Sequence, residues 1–584
     1  MRWFARRAPV AIARRAVQVY RRGSLDPSHE TMQSPAFAPY RIPPGALPEE
    51  ARRRATDAAA APLLVPLDEP LPAGFAHEAF AIVNAGRAGA ADEACRGADG
   101  NPSGTGTDVR ACLVSDRHRK RVERGVGLAL ELGFRGVCLD RPDAPLALGI
   151  LGAGFCPDCQ RAFSRDLTRE YGEHFQPLDY LALAREALAQ SSGALGHEQL
   201  PFGRDFWRMR AATLEQAVRA QARAARDASR AHGKPFEVAA QFEAIGPAQV
   251  RAARHVDAAA FPAQAQQLTT GAGLFRLLRA AMGKRPAAAI VSGASGAPLV
   301  RIAAVAAACG VEPLAADPAA DLALAPVRRF ARALAADPKA PGADAPWAEC
   351  AILYSAECDL WTGGSHREQV ERAGEALAAL HLQAPVVLRV EDAPPHAALV
   401  LAGAGKLAAG EARAVLKRLE AGGGAIAFGS VGAVDESGRK AASPVPPGKP
   451  GGAKVGKGIF AELPALPAPR PGQLLDAKAL EPTSRAVAAV IGRGRRAAGV
   501  AGRAPLLAVM TRTEERLDVH LVTLAGPAQG STLFVGMHVA GGARRARFQS
   551  ASGQDERITM NPSGYSISTV LPAFEGYAVL TIPG

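Results

Sequence analysis

The chain has 584 residues, 48% of them hydrophobic and only 5% aromatic, and a formal net charge of +13. That length predicts several domains, each with its own core, and no apolar run reaches the roughly 18 residues of a membrane-spanning helix. Seven positive charges are arginines within residues 1–22 and four more fall in 493–503. The excess is therefore local, no basic face is interleaved with aromatics, and nucleic acid is not the expected partner. Eight cysteines in so long a chain do not make a disulfide framework and fit a reducing, cytoplasmic setting.

In chain order, residues 1–22 form a basic, helix-prone segment. The stretch YRRGSLDPSHET reads as the end of a first strand, with Asp26 and His29 in the turn that follows. Residues 62–67 and 80–84 are short strand candidates, and a loop rich in Gly, Asp and Asn occupies 86–106. Helical periodicity over 122–132 leads into an apolar strand, Gly136 to Leu139, that ends on Asp140. Helices follow at 178–189 and 206–232, then strands at 236–242 (ending at Glu243) and 255–261, a helix at 274–282, a strand at 287–292 and a helix at 299–309. Alternation of this kind predicts a parallel α/β fold, a (β/α)8-type TIM barrel over 23–340. Its start is shortened, because 56–110 is too short for two full β/α units.

After a linker at 340–346, strands at 349–354, 386–390, 398–401 and 425–429 alternate with helices at 368–380 and 409–421. This predicts a flavodoxin-like α/β domain over 347–437. Residues 438–475, rich in Pro, Gly and Lys, read as a linker or long loop. Six short strands between 506 and 582 predict a small β-sandwich over 476–584.

Three carboxylates follow predicted strands: Asp26, Asp140 and Glu243. Glycosidic cleavage needs two such groups, one to protonate the leaving oxygen and one to attack or to activate water. Arg141, directly after Asp140, is the obvious ion-pair partner and a possible hydroxyl donor to a ligand. Cys156 and Cys159 have metal-ligand spacing but supply half of a tetrahedral site; Cys112, with Cys95 or Cys138, could complete it, and free thiols are the alternative. Other signals are weak: Gly422–Gly424 is a helix end and turn, the glycine-rich loop after Ser292 lacks a P-loop lysine, and Cys358 lacks a nucleophile elbow.

CLVSDRHRKRVERGVGLALELGFRGVCLDRPD followed by FCPDCQRAF resembles the central segment of family-42 β-galactosidases and related hypothetical glycosyl hydrolases. YRRGSLDPSHET resembles their opening strand, and EVAAQFEAIGPAQVRAARHVDAAAF their late strand pair. CAILYSAECDLWTGGSHREQVERAGEALAALHLQAPVVL, with ALVLAGAGKLAAGEARAVLKRLEAGGGAIAFGSVGAVDESG, is similar to their glutamine-amidotransferase-like trimerisation domain. The resemblance implies a carbohydrate substrate, Asp140 and Glu243 as the acid/base and nucleophile pair, and sugar contacts from Asp26, His29, Arg141, Trp207 and Trp361. It also implies a homo-oligomer, dimer or trimer, no required cofactor, and a structural zinc on Cys112, Cys156 and Cys159. Three departures stand out. Position 154 is Gly where the family places a first cysteine, so a fourth ligand must be borrowed. Asp140 replaces the Asn-Glu pair, and the late strand ends in Phe261–Pro262 without a glutamate. The rival expectation is a catalytically inactive glycan-binding or scaffold protein derived from such an enzyme.

Overall fold

The computed structural model describes residues 40–41, 63–66, 79–104, 108–172, 179–190, 200–337, 339, 346–435, 439–467, 478–492, 496–502 and 504–583. The chain forms two compact units, 1–244 with 252–260, and 245–251 with 261–584. The basic segment 1–22 and the strand expected before Asp26 lie outside the described residues.

An α/β fold with a parallel sheet is what the alternating pattern builds. The strands are β1 (Tyr40–Arg41), β2 (Leu63–Pro66), β3 (Ala79–Asn84), β4 (Gly136–Asp140), β5 (Glu237–Gln241), β6 (Ala258–Gln264), β7 (Ala287–Ser292) and β8 (Glu312–Ala315), and their order follows the sequence. In the first unit β3, β4 and β5 pair in parallel, so that Asn84, Asp140 and Gln241 share one register at the C-terminal strand ends. Every residue of β4 is buried, as expected of a parallel strand covered on both faces. β6 pairs with β5 through Ala258, Ala259 and Ala260, the last opposite Gln241 where β5 ends.

Helices cover this sheet by ordinary amphipathic logic. The Asp116–Glu131 helix buries Val122, Val126, Ala129 and Leu130, the spacing of one helical stripe. Pro157 opens the Pro157–Tyr171 helix in its first turn, with Cys156 as N-cap and Cys159 within the first turn. The Gly203–His232 helix ends on Gly233 in the left-handed region.

In the second unit β7 and β8 pair in parallel around the Gly296–Ala308 helix. A further sheet then takes the order Val386–Val387, Cys350–Leu353, Ala398–Ala402, Ala425–Phe428, Gly458–Leu463, Ala453–Val455. Its last two strands are a hairpin inside the segment expected to be a linker or loop (438–475). Pro, Gly and Lys dominate the composition there, yet Phe460 is fully buried and Gly458–Leu463 pairs along Ala425–Phe428. A short apolar run was enough to add a strand. At the C-terminus a four-stranded and a five-stranded antiparallel sheet share one apolar core that includes Leu533, Val535, Ile567, Val519, Phe548 and Leu580.

Candidate active site and cysteine cluster

Two polar constellations lie in the first unit. At the C-terminal ends of β4 and β5, Asp140 is only 4% exposed, and its Oδ2 is 3.7 Å from Arg141 Nε. Arg141 adopts a left-handed backbone (φ 49°), unusual for a side-chain-bearing residue and a mark of a locally constrained site. Its own N–H bonds the Gln241 carbonyl at 2.8 Å. Its carbonyl presses on Gly86, where any Cβ would lie 1.8 Å from that oxygen, so only glycine fits at 86.

Glu243 stands two residues beyond β5. Its Oε1 accepts from Arg110 and from Arg141, each at 2.8 Å. Asp108 pairs with the same two arginines at 3.1 and 3.2 Å and with Arg87 at 2.9 Å. The fully buried Asp143 fixes the loop by accepting from the backbone N–H of Glu243 (2.9 Å) and Ala244 (3.0 Å). Three carboxylates thus face three guanidiniums. Burial works against the Arg141 charge, but Asp140, Glu243 and Asp108 outweigh it and push its basicity up.

The second constellation is made of sulfur. Cys112 Sγ lies 3.2 Å from Cys156 Sγ and 3.5 Å from Cys159 Sγ. The sulfurs of Cys95, Cys156 and Cys159 lie within 4.8 Å of one another. All four are buried and none is in a disulfide. Sulfurs bound tetrahedrally at zinc distance sit about 3.8 Å apart, so the set fits a closed, structural zinc site. Gly154 donates its N–H to Cys95 Sγ at 3.0 Å, and the buried Arg210 adds a positive charge that interacts with Cys95 and Cys159; both features suit an anionic four-thiolate centre. Hydrogen bonds from Cys112, Cys156 and Cys159 hold the Cys95 thiol well below its usual range.

The sequence places Glu243 far from the adjacent Asp140 and Arg141, and the fold joins them through Arg141. It likewise joins Cys112, Cys156 and Cys159. Cys95, one of two alternatives for a fourth ligand, is the sulfur actually present; Cys138 lies in β4. Gly154 cannot be that ligand, since its φ is 99° and a Cβ there would meet the Phe206 ring at 2.7 Å. The two tryptophans are not with the carboxylates. Trp207 packs against the Phe155, Phe163 and Phe206 cluster, with Arg210 over its ring at 5.3 Å. Trp361, in the second unit, is 2% exposed, which leaves no ring face for a sugar. Asp26 and His29 lie outside the described residues. Sequence reasoning missed Asp108, Arg110 and Asp143; the alternating signs of Asp108-Val-Arg110 were the only available hint. In the second unit β7 ends on Ser292 and β8 on Ala315, neither of them a carboxylate.

No protein-family model matches the chain, and no curated protein matches it in sequence. Solved structures do resemble it. The cold-adapted β-galactosidase of Rahnella sp. R3 is 14% identical with a TM-score of 0.64, the match covering 95% of this chain and 99% of that one. A catalytic-mutant form of Gan42B, a GH42 β-galactosidase from G. stearothermophilus, is 11% identical with a TM-score of 0.63, covering 94% and 98%. An α-L-fucosidase of Paenibacillus thiaminolyticus is 12% identical with a TM-score of 0.57, covering 91% and 95%. The chain has a family-42 β-galactosidase-like fold.

Proposed function

We propose that the protein binds carbohydrate on a glycoside-hydrolase scaffold, with β1–β8 closed as a barrel, and that its present site holds sugar rather than cleaving it. The observation that carries this reading is the double clamp on Glu243. With Oε1 accepting from both Arg110 and Arg141, Oε2 is the one oxygen of Glu243 left for a substrate, and the two guanidiniums draw on the electron density that attack at an anomeric carbon would need. The charge-balanced set of Asp108, Asp140 and Glu243 with Arg87, Arg110 and Arg141 is instead suited to recognition. Carboxylates accept from sugar hydroxyls and guanidiniums donate to them, at positions fixed beforehand by Asp143 and by the constrained backbone of Arg141.

Within this reading Cys95, Cys112, Cys156 and Cys159 hold a structural zinc. The metal would supply no chemistry at the sugar; it would tie residues 95 and 112 to the start of the Pro157–Tyr171 helix. The sheet around Cys350–Leu353 serves as the assembly domain of a homo-oligomer, and eight thiols outside any disulfide suit the cytoplasm. Among the described residues no helix is long and apolar enough to cross a membrane.

Calorimetry against a panel of oligosaccharides, with reducing ends assayed in the same samples, tests the proposal. Saturable binding without release of reducing ends is expected, with affinity falling about tenfold in Arg141→Ala. Absence of binding by every glycan tested would overturn it.

A second reading, hydrolysis with Asp140 and Glu243 as the acid/base and nucleophile pair, is favoured by one observation: Asp140 is almost wholly buried at a strand end beside a residue with constrained backbone. Burial of that kind is a common setting for a catalytic carboxyl.

A further inference from the structure

The second unit contains a cleft of about 230 Å³ that the carbohydrate reading does not use. One wall is Arg276, which lies on the Ala272–Met282 helix and is 7% exposed. It reaches that depth because its helix crosses the Ser365–Ala379 helix at Gly273 and Gly374: a Cβ on Gly374 would lie 2.3 Å from the Gly273 Cα. Arg276 donates to the Gly374 carbonyl at 3.5 Å and to the Cys309 thiol. Among the described residues no carboxylate is within ion-pair distance of it. The nearby Glu375 is occupied by the Thr270 N–H (3.0 Å), the Thr270 hydroxyl (2.5 Å) and the Gly271 N–H (2.8 Å).

A buried guanidinium without a counter-ion is costly to keep, and here it borders an open space. Arg279 and Lys284 add positive charge at its edge, while Trp347, Val386 and Met510 make the remaining walls mainly apolar. The volume falls below that of drug-sized pockets, so the space suits a small ligand.

We propose that this cleft is a binding site for a compact organic anion, a carboxylate on an aromatic or branched apolar body. The carboxylate pairs with Arg276, with Lys284 at the rim, and the apolar body lies against Trp347, Val386 and Met510. The wall is a poor match for a polyhydroxylated ligand, so this site differs in chemistry from the carbohydrate site and stands or falls independently of it.

The test uses the full chain with benzoate, benzyl alcohol and glucuronate as probes, read by calorimetry and saturation-transfer NMR. Benzoate is expected to bind with a dissociation constant of about 1 mM or tighter, and benzyl alcohol and glucuronate at least about tenfold more weakly. Ala280→Trp fills the cleft from the next turn of the helix that carries Arg276, and Arg276→Gln removes the charge. Each is expected to weaken benzoate about tenfold or more, and whichever variant keeps the wild-type melting profile decides the matter. Benzoate affinity unchanged in a folded variant would overturn the proposal. So would benzyl alcohol or glucuronate binding as tightly as benzoate, or no benzoate binding at all.

Discussion

The cysteine cluster and the carboxylate–arginine cluster are both assembled from residues far apart in sequence, yet they solve the problem of buried polarity in opposite ways. Around Cys95, Cys112, Cys156 and Cys159 the donors are all of one kind, and Arg210 brings an opposing charge. Around Glu243, Asp108, Asp140 and Glu243 each have an arginine partner, and Asp108, Arg110 and Arg141 close the network on themselves. A set of like ligands asks for an ion from outside. A self-neutralised set asks for nothing and has little left over for chemistry. On our proposal the cysteine cluster is the polar centre that depends on an added component, and the one at the ends of β4 and β5 is not.

That contrast can be broken experimentally. The largest effect is expected from Cys95→Ser: zinc near one equivalent in the wild type should be lost, with destabilisation of more than about 4 kcal/mol. Metal analysis and denaturant titration check both; a metal-free wild type would place the cysteines among ordinary buried thiols. Next comes Glu243→Gln, which leaves Arg110 and Arg141 short of a counter-charge that is 17% exposed. A loss of about 3 kcal/mol is expected, with part of it recovered when Arg141→Met is added, as a double-mutant cycle would show. If Glu243→Gln were neutral, the clamp would be incidental.

A smaller effect concerns pH. His118, on the helix that follows Cys112, is 1% exposed, and burial lowers it from 6.5 to about 4, with Arg121 adding to the shift. Between those values the unfolded chain binds a proton that the folded chain refuses, so stability falls as pH is lowered through this window. The expected loss is about 2 kcal/mol by pH 5 relative to pH 8, attenuated in His118→Gln. Denaturant midpoints across pH measure it.

Much of the fold was legible in the sequence because period and punctuation agreed. Gly136–Asp140 and Ala287–Ser292 lie where the apolar runs between helical stretches put them, and the Gly203–His232 helix begins three residues before the expected start. What escaped has physical causes. β8 (Glu312–Ala315) is four residues long and begins with Glu-Pro, a poor strand signal. The Ala453–Leu463 hairpin hides in a Gly- and Lys-rich stretch. Of the sites, Cys112, Cys156 and Cys159 could be read from spacing, but the choice of Cys95 depends on a chain path through 94–112 that no periodicity records. Asp108 and Arg110 were invisible for the same reason: a long-range ion network leaves no local pattern.

The central claim is that the β4–β5 end holds a ligand without cleaving it. The most direct measurement is turnover of activated aryl glycosides, the galactoside and fucoside included, between pH 4 and 9 by wild type, Asp140→Asn and Glu243→Gln. The account predicts no release above buffer for any of the three. Release by the wild type that disappears in Asp140→Asn and in Glu243→Gln would contradict it and make these two carboxylates a working hydrolytic pair.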